Sequence, residues 1–285
     1  MAVDGGAGRG DGRRSVVTLD LIVDRTDGLD AFDSVSLAET VDRADLSHRV
    51  DRKYLVPLGT VRDALPELAT THRVLEVAGR FSTTYSTTYF DTHDLASCRA
   101  HIQGRRRRWK VRSRLYVEDG LCRVEVKTRS SRGRTVKAVA PSESGRHGHL
   151  SGADREFVAR TLEPDHPELD VDALRPTAEI TYERSCLVDV DAGRRLTIDH
   201  RLSSVLAHGR AWVDDGFAVV ETKGGAVPSE ADRLLVRLGA RPRSFSKYVA
   251  TASLLYPDLA DNDVRALRGW CLHCAPRDTD QEGRP

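Results

Sequence analysis

Charged and apolar residues alternate in short segments throughout this 285-residue chain, and that alternation limits what it can fold into. In an extended strand, side chains two apart point to the same side, so each segment splits into two faces. Lys110, Arg112 and Arg114 share one face of WKVRSRL, and Arg123, Glu125 and Lys127 share one face of RVEVK. Tyr182 pairs with Arg184 in YER, Glu221 with Lys223 in VETK, and Asp51 with Lys53 in DRK, while Arg195, Thr197 and Asp199 share a face of RLTID. The opposite faces carry Val111, Val124, Val126, Leu196, Ile198 and Val220. One such strand alone reads as half-buried, with its charges in water. Six of them point instead to a sheet curled into a barrel, apolar residues and helices outside and the charged faces around a shared lumen. A lumen crowded with Lys and Arg must be filled by anions, because repulsion and desolvation would otherwise oppose folding.

Eight segments have strand character: RVDRKYLVP, FSTTYSTTYFDT, RRWKVRSRLYV, LCRVEVKTR, RTVKAVA, AEITYERSCLVDV, RRLTIDHRL and GFAVVETKG. Helical patterns lie between them at TVRDALPELA, DLASCRAHI, SGADREFVARTLE and PSEADRLLVRLGA. The last two open with Ser151 and Ser229, each followed three residues later by an aspartate (Asp154, Asp232) at capping-box spacing. The helices interrupt the strands without a regular β-α rhythm. The expected class is therefore α+β, an antiparallel sheet or barrel with helices packed outside. Residues 1–30 are read as a disordered tail, 31–260 as the folded domain and 261–285 as a weakly structured tail.

Lysine is rare: six lysines stand against 38 arginines, at positions 53, 110, 127, 137, 223 and 247. If half the chain were strand, all six would fall in strands by chance about one time in 64. Ammonium is a compact point charge suited to a phosphate oxygen in a narrow bore, whereas guanidinium is a broad planar fork. A cationic lumen with a few carboxylates, chiefly Glu221 and Glu125, matches phosphoryl transfer: cations hold a row of phosphates and a carboxylate holds Mn2+ or Mg2+.

The bulk composition narrows the partners. A net charge of +1 gives no general argument for nucleic acid or a membrane surface, so any basic site is local. There is neither a long apolar span nor a secretory signal core, and five cysteines form no disulfide framework, so the expected location is cytoplasmic.

Six motifs in order, DRKYLVP, YFDT with WKVRSRLY, VEVKT with TVK, YERSCL with RRLTIDH, VVETKGG and SFSKY, make the chain resemble the polyphosphate polymerase (VTC, vacuolar transporter chaperone) domain of the triphosphate tunnel metalloenzymes. The resemblance covers roughly residues 45 to 255 and implies an antiparallel eight-stranded tunnel binding a triphosphate. By position it implies basic contacts from Lys53, Arg112, Arg114, Lys127, Lys137, Arg184, Arg195, Lys223 and Lys247, with Tyr182 and Ser246 beside them and Glu221 as the metal ligand. The chain departs from the pattern at Ser244, where some members carry lysine, and at Asp51, which stands in place of a glutamate pair; metal ligation would then lean on Glu221 and Glu125. The implied reaction moves the γ-phosphoryl group of ATP, or of another triphosphate, onto inorganic polyphosphate. Relatives work within membrane assemblies, so a separate membrane protein is a further implied partner.

Two other readings share the tunnel: a triphosphate phosphohydrolase with water as acceptor, and a noncatalytic polyphosphate sensor. Several features count as decoys. Arg105 to Arg108 followed by Trp109 suggest nucleic acid, but adjoin a tunnel strand in a near-neutral chain. Cys271 and Cys274 make half a zinc site, the neighbours Asp199 and His200 lack a nucleophile motif, and no P-loop frame is present.

Overall fold

The computed structural model describes residues 28–43, 50–133 and 135–276. In chain order the first elements are β1 (Ser34–Ser36), α1 (Leu37–Arg43), β2 (Val50–Pro57), α2 (Leu58–Leu68), β3 (Arg73–Glu76) and β4 (Ser82–Asp91). Next come α3 (Ala96–Ile102), β5 (Arg108–Tyr116), β6 (Leu121–Arg129), β7 (Thr135–Ser142), α4 (Gly152–Leu162) and β8 (Arg175–Asp189). The chain continues through β9 (Arg194–Leu206), β10 (Gly209–Val213), β11 (Phe217–Gly224), α5 (Glu230–Arg237), α6 (Lys247–Leu255) and β12 (Leu272–Pro276).

Eight of these twelve strands form one continuous antiparallel wall in the order β2, β11, β9, β8, β4, β5, β6, β7. They are the eight segments the alternation marks out. The wall is not closed by hydrogen bonds, since β2 and β7 do not pair. The free edge of β2 is instead met by the segment before α6, where the Arg243 amide donates to the Lys53 carbonyl. Four short strands add to the wall: β3 pairs with β8 and with β1, and β10 pairs with β9 and with β12.

The outer, apolar strand faces are covered by helices. Tyr54, Val56, Ile198, Ala218 and Val220 pack with the apolar faces of α2 and α5, and Trp109, Val111, Val124 and Val126 pack with Val158 and Leu162 of α4. Trp109 is thus core, not a stacking platform for bases. Both predicted capping boxes are formed, by Ser151 with Asp154 and by Ser229 with Asp232.

Helix α6 breaks the expectation that helices lie only outside. Its Tyr248, Val249 and Ala252 pack with Leu55, Tyr89, Ile180, Tyr182 and Val219, residues on the strand faces that carry the charges. The inner face is therefore apolar and filled by α6 along one part and charged along the rest. A β-bulge supports this: opposite Tyr182, β9 has extra residues, with Arg201 at φ 52°. The alternation resets there, so that Asp199 belongs to the charged region and Leu202 to the cluster around α6.

The C-terminal tail expectation is corrected over residues 261–276. Leu267, Cys271 and Leu272 are buried in the α6 cluster, and β12 pairs with β10 over five residues. Gly209 makes this approach possible, because a Cβ there would lie 2.2 Å from the Ala275 carbonyl oxygen. Leu29 at the edge of the N-terminal tail is likewise buried, while residues 1–27 and 277–285 lie outside the described residues.

Asp232 links several parts of the outer layer: it accepts from Tyr54 Oη (2.8 Å), Thr222 Oγ1 (2.6 Å) and the Ser229 amide (2.7 Å). Asp232→Ala removes a cap and strands two buried hydroxyls, so it should lower unfolding free energy by about 3 kcal/mol in urea denaturation. A loss below about 1 kcal/mol would show that the hydroxyls find other partners.

Candidate active site

The charged strand faces converge on one cavity of about 210 Å³. All six lysines of the chain line it, together with Arg112, Arg114 and Arg184. Those nine cations face three carboxylates in the lining, Asp51, Glu125 and Glu221. Five of the lysines come from strands; Lys247 is the exception to the all-strand expectation, since it opens α6. Register explains the clustering: Lys110, Lys127 and Lys137 are directly opposite one another across β5, β6 and β7, and Lys53 is opposite Glu221 across β2 and β11.

Like charges this close are held apart by two carboxylate anchors. Glu125 accepts from Arg112 Nε (3.0 Å) and lies 3.3 Å from Arg114 and 3.4 Å from Lys137. Burial alone would raise its pKa, but these three cations outweigh burial and hold the carboxyl well below the usual range. Asp199 is the second anchor. It takes two hydrogen bonds from Arg184, the Nη2 contact at 2.7 Å, and a third from Lys247 Nζ. Burial opposes ionisation here too, and the same cations win.

Glu221 has a different environment. It meets Lys223 at 3.3 Å, and its pKa falls to about 2, burial being outweighed by Lys223 and Lys53. Lys110 shows the cost of crowding. Burial first, then Lys53, Lys127 and Arg112, pull its pKa down to about 7, and its Nζ donates to Ser246 Oγ at 2.8 Å. Tyr89 Oη accepts from Arg112 Nη1 at 3.0 Å while its ring stacks on Tyr248.

Of the residues singled out from sequence, Lys53, Arg112, Arg114, Glu125, Lys127, Lys137, Tyr182, Arg184, Glu221, Lys223, Ser246 and Lys247 are brought together in the lining. Arg195 is not. It sits opposite Lys223 on β9, but α1 captures its guanidinium, Nη2 donating to the Thr40 carbonyl at 2.7 Å. Glu125 does not fit the metal-ligand role expected of it, because three cations already occupy its oxygens. Among the described residues no group of three or more His, Cys, Asp or Glu could hold a metal ion. Glu221 fits one in the manner of Mg2+ sites, which combine one or two carboxylates with substrate phosphates.

Asp199, Lys110, Tyr89 and Phe245 complete the site without having been singled out as site residues. Lys110 shares its strand face with Arg112, which is signal enough; Phe245 carries none. His200 points away from Asp199, lying 3.8 Å from Glu183, so the two form no dyad. Cys271 is buried and Cys274 exposed at the β10–β12 pairing.

A VTC domain model matches residues 48–256. The chain belongs to the VTC domain family. Its wall of eight antiparallel strands surrounds a cationic cavity. No curated protein matches the chain significantly. Among solved structures it is similar to a proposed adenylate cyclase from Bacillus halodurans (TM-score 0.46, 13% identity, covering 70% of this chain and 94% of that one). It is also similar to a proposed adenylyl cyclase from Hippeastrum, described as having a dominant triphosphatase activity (TM-score 0.42, 13% identity, 71% and 93%). A Pyrococcus horikoshii protein matches at TM-score 0.39 and 10% identity, covering 70% and 98%. Among the described residues, no helix of this VTC protein is long and apolar enough to cross a membrane.

A polyanion in the cavity should return a proton to Lys110. Burial and the neighbouring cations disfavour the charged form, so an added polyanion raises the pKa and binding takes up protons above pH 7. Calorimetry of tripolyphosphate binding at pH 8, in buffers of different ionisation enthalpy, should show proton uptake and an affinity that weakens as pH rises. Lys110→Met should remove most of that uptake; an unchanged uptake would assign it elsewhere.

Proposed function

We propose that this VTC protein is a metal-dependent polyphosphate polymerase that uses a nucleoside triphosphate such as ATP. The observation that carries the reading is the cavity lining, where every lysine of the chain and three arginines face a space of about 210 Å³, suited in charge to a row of phosphates. A terminal phosphate oxygen of the acceptor chain attacks the γ-phosphorus, the bond from that phosphorus to the β-bridging oxygen breaks, and the nucleoside diphosphate leaves.

Transfer is favoured over hydrolysis by the different demand the two acceptors place on a base. Water would need one, and Glu125 and Glu221 are cation-bound carboxylates with depressed pKa values, poor acceptors for its proton. A phosphate nucleophile is already anionic and needs none. Catalysis then consists of alignment and charge neutralisation. Arg112 and Arg114, fixed by Glu125, and Arg184 and Lys247, fixed by Asp199, orient phosphate oxygens. Lys53, Lys127, Lys137 and Lys223 supply further positive charge, and the N-terminus of α6 adds backbone donors beside Ser246. Glu221 would hold Mn2+ or Mg2+ together with the substrate; the metal's contribution is to neutralise charge on the transferring group.

Two substitutions separate these roles. Glu221→Gln should cut metal-dependent turnover by about 100-fold or more while leaving tripolyphosphate bound. Lys127→Arg keeps the charge but widens the head group in the bore, and should cost about tenfold in activity. Wild-type rates in both would remove the assigned site.

The direct test incubates purified protein with γ-labelled ATP and Mn2+ or Mg2+, with and without a short polyphosphate primer, and resolves the products on a gel. Label in long chains is expected. Label only in orthophosphate would make the protein a triphosphatase, and polyphosphate binding without turnover would make it a sensor.

A further inference from the structure

Two carboxylates hold two sets of cations in the cavity, and the strand that runs between those sets contributes no acid to either. Arg112 and Arg114 of β5 belong to Glu125, and Arg184 of β8 belongs to Asp199. β4 pairs with both strands, yet its residues from Ser82 to Phe90 include no acid. Asp91 at its end is taken up by Tyr248 and by the amides that open α3. What β4 offers here is aromatic. Tyr85 lies directly opposite Tyr116 on β5 and Tyr182 on β8. The ring centroids are 4.9 Å and 5.2 Å away, and the pair with Tyr182 is stacked within 12° of parallel.

Both sets of cations reach this one ring. The Arg114 Cζ lies 5.3 Å from the Tyr85 centroid and the Arg184 Cζ 5.1 Å. Both are inside the distance of about 6 Å at which a cation is attracted to the negative face of an aromatic ring. The two arginines differ in what else holds them. Arg184 has two hydrogen bonds to Asp199. Arg114 has one contact with Glu125, at 3.3 Å, and its buried Nε has no hydrogen-bond partner among the described residues. A guanidinium on a flexible stem, held at one nitrogen among like charges, keeps its aim only if something else restricts it. The Tyr85 ring supplies that restriction. Because Arg114 is buried, its attraction to the ring is stronger than it would be at a surface, where water competes for the cation.

Tyr85 itself is not part of the cavity lining. Its hydroxyl has no hydrogen-bond partner among the described residues, and burial raises its pKa, so the phenol stays neutral and the ring face is what acts.

We propose that Tyr85 is a positioning residue of the phosphate site: its ring aims Arg114, and to a lesser degree Arg184, at the bound phosphates. The inference rests on the phosphate-binding reading of the cavity and adds to it a residue that never touches the phosphate. It also explains why an uncharged strand separates the two anchored sets, since one aromatic face serves a cation from each.

The test changes the charge distribution of the ring and keeps its shape. Tripolyphosphate binding is measured by calorimetry for the wild type, Tyr85→Phe and Tyr85→pentafluorophenylalanine, the last reversing the ring quadrupole, with circular dichroism as the check on folding. Tyr85→Phe should bind within about twofold of the wild type, and the fluorinated variant about tenfold more weakly. On an Arg114→Met background the fluorinated ring should cost less than about threefold, because the main cation it acts through is gone. Equal affinity of the phenyl and pentafluorophenyl variants would overturn the proposal and leave Tyr85 as packing alone. An undiminished penalty without Arg114, or a loss in Tyr85→Phe as large as in the fluorinated variant, would overturn it as well. A wild type that does not bind tripolyphosphate would overturn the cavity reading, and the role of Tyr85 with it.

Discussion

Mutual repulsion among nine cations that line one cavity is the constraint around which this molecule is organised. Two unit charges 4 Å apart interact by about 4 kcal/mol at the effective dielectric of a protein surface, so a set of nine without compensation would exceed the stability of most domains. Glu125 and Asp199 provide part of the compensation, each holding two or three cations in fixed positions. The rest comes from the outer faces of the same strands, where burial of apolar residues under α2, α4 and α5 contributes the favourable free energy that the inner face cannot. The residual imbalance is what a phosphate chain would neutralise.

The carboxylates in and around the cavity thus divide by their surroundings. Glu125 and Asp199 are each engaged by two or three cations and act as fixed anchors, whereas Glu221 has Lys223 as its ion-pair partner and is the carboxylate proposed above to hold a metal. The same residue type, on the same inner face, therefore serves two purposes. Register decides which: Glu125 lies opposite Arg112 on β5, and Asp199 opposite Arg184 on β8, while Glu221 lies opposite Thr197 and Lys53.

Helix α6 sets the size of the site. By filling the apolar part of the inner face it shortens the open bore and brings Ser246 and Lys247 to its end, where Lys247 joins Asp199 and Ser246 meets Lys110. Asp91, wholly buried, ties this helix down by accepting from Tyr248 Oη at 2.7 Å and from the Ser97 and Cys98 amides at the start of α3. Position within the bore and anchorage of α6 are consequently coupled through a few polar contacts in an apolar surrounding.

The amino-acid order alone determined the eight wall strands and their two faces, because a period of two is a local property of the backbone. It also determined the starts of α4 and α5, whose capping boxes need only residues three apart. It did not reveal α6: residues 248–254 are all buried, so no polar stripe marks the helix. Nor did it reveal β10 and β12, five residues each, of which β12 depends on pairing with a strand far back in the chain. Only the tertiary structure decided that Arg195 turns to the Thr40 carbonyl, that Glu125 is an anchor, and that Leu267, Cys271 and Leu272 are buried in the α6 cluster. Those outcomes depend on which groups meet across distant segments, where desolvation and charge pairing are settled by proximity in space and not by spacing in the chain.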